Sequence, residues 1–264
     1  MTASAIESIG KEREMNFIVI DKKDGIAILR LSRGKVNALN GDVVDELKTC
    51  LKTFVGDDQV KAVILTGAGK FFSFGFDIPE FLSFPKDRFA RFMTDFADLY
   101  SYVFLYPKPV IAALNGHTMA GGCMLALACD YRVMAMGKGK ISLNEIGFGA
   151  SVLAGTVEML RFAIGSAHAQ DVLYSGALYS AEEAFDVGLV HELAGEEDLM
   201  GAAMRAAENL SSKPAAAYAS IKSLLRKPVA DEMRAREAAS IREFVDIWYS
   251  DETRAMVKNI QIHA

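Results

Sequence analysis

The sequence is poor in the residues that mark several protein classes. Its three cysteines, Cys50, Cys123 and Cys129, are too few for the disulfide framework of a small secreted protein, and none has C-x-x-C spacing. The four histidines are scattered along 264 residues, so we expect no structural zinc site. No apolar run approaches the ~20 residues that a membrane-spanning helix needs. The sequence therefore predicts neither a disulfide scaffold, nor a zinc-stabilised fold, nor a membrane span.

The sequence also lacks an excess of basic residues. Lys and Arg number 29 against 34 Asp and Glu, which gives a net charge of −5. We therefore expect neither a nucleic acid nor an anionic membrane as the main partner. Residues 1–14 mix acidic and basic side chains without an apolar stretch, so we expect neither a secretory signal nor a transit peptide there. These features, with cysteines expected to stay reduced, predict a soluble cytoplasmic protein.

The sequence does contain a succession of apolar strands. With 51% hydrophobic residues, the chain can bury a sizeable core as one large domain or as one domain with a helical appendage. Residues 17–20 and 26–31 are isoleucine-rich runs on either side of an Asp-Gly turn, as in a β-hairpin. Residues 62–66 form a near-continuous apolar run, typical of a strand buried on both faces of a parallel sheet. Further strands are predicted at residues 110–115, 131–135 and 141–143.

Helical periodicity accounts for most of the remaining chain. The first helix is predicted to be capped by Asp42 and to end at Gly56. Further helices are predicted over residues 86–105, 152–164 and 180–187, the second of them ended by Gly165.

The C-terminal part of the sequence changes character. From about residue 196 it is helical, and Pro214 and Pro228 are predicted to interrupt it. We therefore expect an α/β core over residues 15–195, which carries the site, and a C-terminal helical region over residues 196–264.

Two loops in the core are candidates for a functional site. Residues 72–78 follow a buried strand, and residues 115–123 run from a strand into a helix through several small residues. Small residues at such turns let a ligand approach the backbone, and two N–H groups from two loops could converge on one oxygen as an oxyanion hole. The same glycines are equally explained by tight turns and close packing.

Six sequence segments point to a known family. In chain order they are residues 35–40 (KVNALN), 72–78 (FSFGFDI), 108–116 (KPVIAALNG), 121–123 (GGC), 129–133 (CDYRV) and 184–190 (AFDVGLV). Over residues 17–215 the chain thereby resembles the crotonase superfamily, the enoyl-CoA hydratase/isomerase family. The resemblance implies a spiral of β-β-α units with C-terminal helices that help to build a homotrimer or a dimer of trimers. It also implies an acyl-CoA thioester as substrate, with coenzyme A as part of that substrate, and no metal or redox cofactor.

The resemblance also implies roles for individual residues. The two oxyanion-hole donors fall on the backbone N–H groups of Phe76 and Gly121, where they would stabilise the oxygen of a thioester enolate. The contacts with coenzyme A fall at Lys35, Ala38, Phe74, Asp77 and Ile78.

The acid–base residues decide which reaction the resemblance implies. Family hydratases carry two glutamates, but this sequence has Met124 at the first position and Glu145 at the second, within residues 142–147 (SLNEIG). Water addition benefits from two carboxyls, whereas one carboxylate can move a proton from C2 to C4 of a 3-enoyl thioester. The Leu-Asn-Glu context and the short Lys-Val-Asn approach are also similar to single-glutamate Δ3,Δ2-enoyl-CoA isomerases. The resemblance therefore favours an isomerase of fatty acid metabolism.

Several alternatives stay open at this point. Hydratase, hydrolase and decarboxylase activities occur in the same superfamily, and a non-catalytic protein that binds coenzyme A or RNA is a reading of a different class. His117 and Asp77 are interpreted as a structural histidine and a helix cap or loop anchor. The aromatic run of Phe71, Phe72, Phe74 and Phe76 fits either the wall of an acyl pocket or ordinary core.

Overall fold

Two β-sheets and the helices between their strands organise the chain. The structure, a computed structural model, describes residues 15–258; residues 1–14, where we expect no targeting signal, and residues 259–264 lie outside the described part. The strands are β1 (Ile18–Lys23), β2 (Ile26–Leu31), β3 (Ala62–Gly67), β4 (Phe71–Ser73), β5 (Val110–Leu114), β6 (His117–Met119), β7 (Tyr131–Ala135), β8 (Ile141–Ser142) and β9 (Glu192–Ala194).

The helices lie mainly between and after these strands. They are α1 (Gly41–Val55), α2 (Ile78–Leu82), α3 (Lys86–Phe104), α4 (Gly121–Ala128), α5 (Ala154–Ser175), α6 (Ala181–Asp186), α7 (Leu199–Ser211), α8 (Ala215–Trp248) and α9 (Asp251–Val257), with a 3-10 helix at Glu145–Phe148. Within residues 15–258, none of them combines the length and the hydropathy needed to cross a bilayer.

The topology repeats one unit three times. The large sheet has the order β1-β2-β3-β5-β7-β9, and the small sheet has the order β4-β6-β8. All neighbouring strands are parallel except the β1-β2 hairpin. From β3 onward, one strand of each pair joins the large sheet, the next joins the small sheet, and a helix follows. This arrangement confirms the predicted α/β class and the spiral of β-β-α units.

The inner strands of the large sheet are buried on both faces because they are apolar at most successive positions, whereas the edge strand β1 is largely exposed. All six residues of β3 are buried, as its continuous apolar run predicts. Leu29 and Val63 belong to the main core, which also contains the buried faces of α1 and α3. On the opposite face, Ile64 and Ile111 pack against the alanine-rich side of α7, where small side chains allow a close approach.

Helix α8 is held against the body of the protein by buried charged groups. Arg226 donates to the carbonyls of Ala128 and Cys129 at the end of α4, at 2.9 and 3.2 Å. Lys222 pairs with Asp130 at 2.7 Å, and both side chains are almost fully buried. Cations at a helix C-terminus are stabilised by its dipole. These contacts fix the path of α8 along α3 and α5, which carries its C-terminal end toward the small sheet.

Three predicted helix boundaries are wrong. Asn40, not Asp42, caps α1, since its side chain accepts from the N–H of Val43. Gly165 has φ of +77° and breaks the helical conformation locally, but helical backbone resumes after it within α5. Pro228 lies inside the 34-residue helix α8 rather than interrupting it, because packing on α3 and α5 holds the helix on both sides of the proline.

Candidate active site

The small sheet brings three distant parts of the sequence to one edge. Strands β4, β6 and β8 are parallel, so their carboxyl ends lie on the same side. Phe76, Gly121 and Glu145 each follow one of these strands by two or three residues. Loops that follow the carboxyl ends of neighbouring parallel strands form a common crevice. The structure therefore gathers the three residues predicted to carry the chemistry.

The backbone at Phe76 directs one N–H group away from its neighbouring segment. The N–H of Leu39 donates to the carbonyl of Gly75 at 2.7 Å, and the N–H of Asp77 donates to the carbonyl of Leu39 at 3.0 Å. Because successive amides of an extended segment point in opposite directions, the N–H of Phe76 points away from Leu39. In the part of the chain that the structure describes, no protein group accepts from this N–H. It is available to a ligand.

Gly121 supplies a second N–H at the start of α4. Ala120 before it has φ of +46° and ψ of −119°, a conformation that L-residues rarely adopt and that turns the chain from β6 into the helix. The first N–H groups of a helix have no partner within it, and within residues 15–258 no side chain caps α4. A Cβ at Gly75 would lie 3.1 Å from the nitrogen of Gly121, so the two loops are in contact. Two neighbouring free N–H groups suit one developing oxyanion.

Glu145 is a buried carboxyl group without a hydrogen-bond partner. Glu145 is the first residue of the 3-10 helix after β8, and it is 2% exposed. Among the described residues, no group donates to Oε1 or Oε2. Burial raises the pKa of Glu145 to about 8. A carboxylate that is neither hydrated nor hydrogen-bonded is a stronger base than a surface glutamate, so this group can act as a general base near neutral pH.

The burial of Glu145 predicts that the wild type and a Glu145→Gln variant differ in stability, and that this difference depends on pH. The folded-state pKa lies above the ordinary value of 4.5, so the contribution of Glu145 to stability is full below pH 4.5 and is lost as the pH rises through about 8. At pH 9 we expect Glu145→Gln to unfold at a higher urea concentration than the wild type. Its free energy of unfolding should exceed that of the wild type by on the order of a few kcal/mol. At pH 4.5 the two proteins should be equally stable. Equal stability at pH 9 would contradict the burial of an unpaired carboxyl group.

Glu145 lines a cavity of about 360 Å³. The cavity is lined by the loops that follow the small-sheet strands, by the segment after α5 and by the end of α8. The lining residues are Phe74, Phe76, Ile78, Met119, Ala120, Asn144, Glu145, Gly147, Phe148, Gly176, Leu178, Phe244 and Trp248. Most of these side chains are apolar, and Glu145 alone among them is ionisable. The cavity therefore suits an apolar group that presents a polar, reacting end to the two N–H donors.

The predicted site residues are only partly collected around this cavity. Phe74, Phe76, Ile78 and Glu145 line it. Gly121 lies directly behind Phe76, since a Cβ at Gly121 would be 2.7 Å from the Phe76 ring.

The other predicted contacts lie outside the cavity lining. Lys35 is exposed, and Ala38 is buried with its carbonyl accepting from Arg33 at 3.3 Å. Asp77 caps α2 by accepting from the N–H of Glu80 at 3.0 Å, and its other oxygen pairs with Arg33 at 2.6 Å. This confirms the interpretation of Asp77 as a helix cap. The roles of these three residues in binding coenzyme A stay predictions.

Other candidates from the sequence have structural positions. The Nδ1 of His117 accepts from the N–H of Lys140 at 3.3 Å, and its ring packs on Phe71. Cys123 is fully buried, and burial raises the pKa of its thiol, which argues against a nucleophile. Met124 is buried in the core on α4. Within the described residues, no three His, Cys, Asp or Glu side chains converge to hold a metal ion.

The part of the cavity wall that comes from α8 could not be predicted from the sequence. Phe244 and Trp248 line the cavity from the last turns of this helix, about a hundred residues after Glu145. Their spacing of four residues indicates one helix face, which predicts burial but not the element against which that face packs. The single tryptophan of the sequence was the one available signal.

The chain is similar to proteins of one family in sequence and in structure. The family model described as enoyl-CoA hydratase/isomerase matches residues 21–261. Crotonyl-CoA hydratase of Syntrophomonas wolfei is 34% identical over 202 residues, which are 74% of this chain and 76% of that protein. Mitochondrial enoyl-CoA delta isomerase 1 of Mus musculus is 30% identical over 229 residues, which are 86% of this chain and 79% of that protein. The crystal structure of human mitochondrial delta3-delta2-enoyl-CoA isomerase superposes with a TM-score of 0.88 at 26% identity, covering 92% of this chain and 96% of that one.

Proposed function

The chain belongs to the enoyl-CoA hydratase/isomerase family, and on that basis we propose that it is a Δ3,Δ2-enoyl-CoA isomerase. One observation carries the choice of reaction. Of the described residues that line the cavity, Glu145 is the only one with an ionisable side chain. Moving a double bond requires one group that accepts a proton and returns it. Efficient hydration requires a second group that orients the attacking water or donates a proton to the substrate.

The proposed reaction uses the geometry of the three loops. The thioester oxygen of a 3-enoyl-CoA accepts hydrogen bonds from the N–H groups of Phe76 and Gly121. The carboxylate of Glu145 takes a proton from C2, and the C–H electron pair forms the C1=C2 bond of a dienolate whose charge rests on the oxygen. The protonated Glu145 then gives the proton to C4. The C1=O bond re-forms, the C1=C2 pair moves to become the C2=C3 double bond, and the C3=C4 pair forms the new C4–H bond. The carboxylate is thereby regenerated.

The surroundings of Glu145 support this role. Burial raises its pKa to about 8, so the ionised carboxylate is a stronger base than that of a surface glutamate. The developing negative charge moves from Glu145 to the thioester oxygen, which faces two fixed dipoles. The largely apolar cavity wall limits water, which would otherwise compete for the proton.

Hydration of 2-enoyl-CoA is the second candidate function. The relative from Syntrophomonas wolfei, which is named a crotonyl-CoA hydratase, favours it. The two functions are separated by supplying the protein with matched 2-enoyl-CoA and 3-enoyl-CoA esters and following both isomerisation and hydration. We expect 3-enoyl-CoA to be converted to 2-enoyl-CoA and the reaction to stop there. A wild type that hydrates as fast as it isomerises would overturn the isomerase proposal and leave the oxyanion hole intact.

Met124 provides a direct test of whether a missing second glutamate makes the protein an isomerase rather than a hydratase. Met124 lies in the first turn of α4, where a negative charge is favoured by the helix dipole, and in this position family hydratases carry a glutamate. We expect Met124→Glu to raise the ratio of hydration to isomerisation, measured as the two products formed from one substrate. Because Met124 is fully buried, the new carboxyl should remain largely protonated and should lower the melting temperature.

The matched control is Met124→Gln. Glutamine has the same size and polarity at this position but cannot exchange a proton, so it should lower stability similarly without raising the product ratio. An unchanged ratio in a folded Met124→Glu protein would show that the missing glutamate does not separate the two reactions here.

A further inference from the structure

The turn that carries Glu145 is closed by backbone hydrogen bonds. The N–H of Gly149 donates to the carbonyl of Ile146 at 3.2 Å, and the N–H of Ala150 donates to the carbonyl of Glu145 at 3.0 Å. Gly149 has φ of +74°, a left-handed conformation that favours glycine and that ends the 3-10 helix. The path of the chain through Gly149 therefore determines where the backbone of Glu145 lies.

Thr253 of α9 holds this turn through a side-chain hydrogen bond. Its Oγ1 donates to the carbonyl of Gly149 at 2.6 Å. A Cβ at Gly149 would lie 3.1 Å from Met256 Sδ and 3.3 Å from Thr253 Oγ1, so α9 packs directly against the turn. Thr253 is 2% exposed, and a hydrogen bond shielded from water is stronger than one on the surface. The contact between α9 and the turn is therefore both close and specific.

The Thr253 hydroxyl belongs to a chain of hydrogen bonds at the start of α9. The N–H of Thr253 donates to Ser250 Oγ at 3.3 Å, and Ser250 Oγ donates to Thr253 Oγ1 at 3.1 Å. Each hydroxyl accepts one bond and donates the next, so the proton of Thr253 Oγ1 is left for the carbonyl of Gly149. Successive hydrogen bonds of this kind polarise and strengthen one another.

Two further bonds tie the beginning of α9 to the segment that follows Phe76. Tyr249 Oη donates to the carbonyl of Phe84 at 2.6 Å, and Arg254 Nη2 donates to the carbonyl of Leu82 at 3.0 Å. Leu82 is the last residue of α2, the helix that begins two residues after Phe76. The same end of the chain thus contacts the helix after one oxyanion-hole donor and the turn that carries the base, and it links the two.

We propose that Thr253 is a positioning residue: its hydroxyl holds the Gly149 carbonyl and thereby keeps the Glu145 carboxyl group in reach of the reacting carbons. This rests on the proposed function for the role of Glu145 as the base. A base has to lie within hydrogen-bond reach of the proton that it removes, and a displacement of about 1 Å can lower turnover about 10²-fold. Thr253 is not among the residues that line the cavity, so it acts through the turn.

The first test measures turnover of 3-enoyl-CoA by the wild type, Thr253→Val and Thr253→Ser. Valine has the shape of threonine without the hydroxyl, so Thr253→Val should lower kcat about tenfold and leave KM within about twofold of the wild type. Serine retains the hydroxyl, so Thr253→Ser should retain most of kcat. The matched control is Thr156→Val, which removes from α5 a buried threonine hydroxyl that has no partner among the described residues and should leave kcat unchanged.

The second test does not depend on turnover. Urea unfolding at pH 9 compares Glu145 with Glu145→Gln in the Thr253 and the Thr253→Val proteins, as a double-mutant cycle. With Thr253 present, the ionised carboxylate is held in its buried place, so the glutamine variant should be the more stable. Without the hydroxyl the turn can relax and the carboxylate can reach water, so this stabilisation should fall by about half. Every other titratable group is common to the four proteins, so its contribution cancels.

Several results would overturn the proposal. These are wild-type kcat in folded Thr253→Val, an equal loss of kcat in folded Thr253→Ser or Thr156→Val, a raised KM with unchanged kcat, and an effect of Glu145→Gln at pH 9 that is the same with and without the Thr253 hydroxyl. Melting temperatures show which variants are folded, and Thr253→Ala replaces Thr253→Val if valine prevents folding. If the wild type does not isomerise 3-enoyl-CoA, the proposed function fails, while the cycle at pH 9 still decides whether Thr253 holds Glu145.

Discussion

Replacing Glu145 with glutamine should reduce turnover of 3-enoyl-CoA about 10²–10⁴-fold, the usual contribution of a general base. Glutamine retains the size of the side chain but cannot accept the proton from C2. Since Glu145 is the only ionisable residue that lines the cavity among those described, no neighbour can take over its role. The measurement is the steady-state rate of the Glu145→Gln protein, together with its affinity for a saturated acyl-CoA.

The affinity should change little, because the proposed role of Glu145 is in proton transfer rather than in holding the ligand. Glu182→Gln, which removes an exposed carboxylate on α6, is the control and should retain full activity. Near-wild-type isomerisation by Glu145→Gln would show that the proposed mechanism is wrong.

Gly121→Pro should lower turnover by about 10²–10³-fold, corresponding to about 3–4 kcal/mol of transition-state stabilisation lost with one oxyanion-hole donor. Proline has no N–H, and the first position of a helix otherwise accepts it. A side chain at Gly121 also meets the Phe76 ring, whose Cε1 would lie 2.7 Å from the new Cβ. The rate of the proline variant alone would therefore mix two effects.

Gly121→Ala separates the donor from the steric effect. Alanine meets the same ring but retains the N–H, so the ratio of the alanine rate to the proline rate measures the donor. Circular dichroism and melting temperature must accompany both assays, because Ala120 has a ψ that is unfavourable before proline. Equal rates for folded alanine and proline variants would remove the Gly121 N–H from the oxyanion hole.

Five strands of the large sheet could be predicted from the sequence because they are locally recognisable, whereas β9 (Glu192–Ala194) was not predicted. β3 and β5 are short apolar runs bounded by turn residues, and burial on both faces leaves a signal at nearly every position of each strand. β7 is buried over four of its five residues, although it contains Arg132. The motifs also led to Phe76, Gly121 and Glu145 before any geometry was known. In each case the resemblance to the family carried the assignment, since small residues and turns alone are also explained by close packing.

Of the small sheet, only β8 could be predicted in this way, within the predicted strand at residues 141–143. β4 and β6 lie in segments that the sequence presents as loops, and each strand has only three residues. β4 becomes a strand because it pairs with β6, and β6 pairs in addition with β8, between partners that are about 45 and 23 residues apart in the sequence. No local pattern encodes a pairing over that distance, yet this pairing brings the three site loops to one edge.

The sequence by itself determined the α/β class through its strand and helix patterns, and its resemblance to one family gave the family and the proton-transfer residue that we propose. Only the tertiary structure decided the environment of Glu145 and the wall opposite it. The burial of Glu145 depends on side chains from several elements, and Phe244 and Trp248 line the cavity because α8 folds back along α3 and α5. Burial and long-range packing depend on the whole chain, and these two properties set the basicity of Glu145 and the shape of the acyl site.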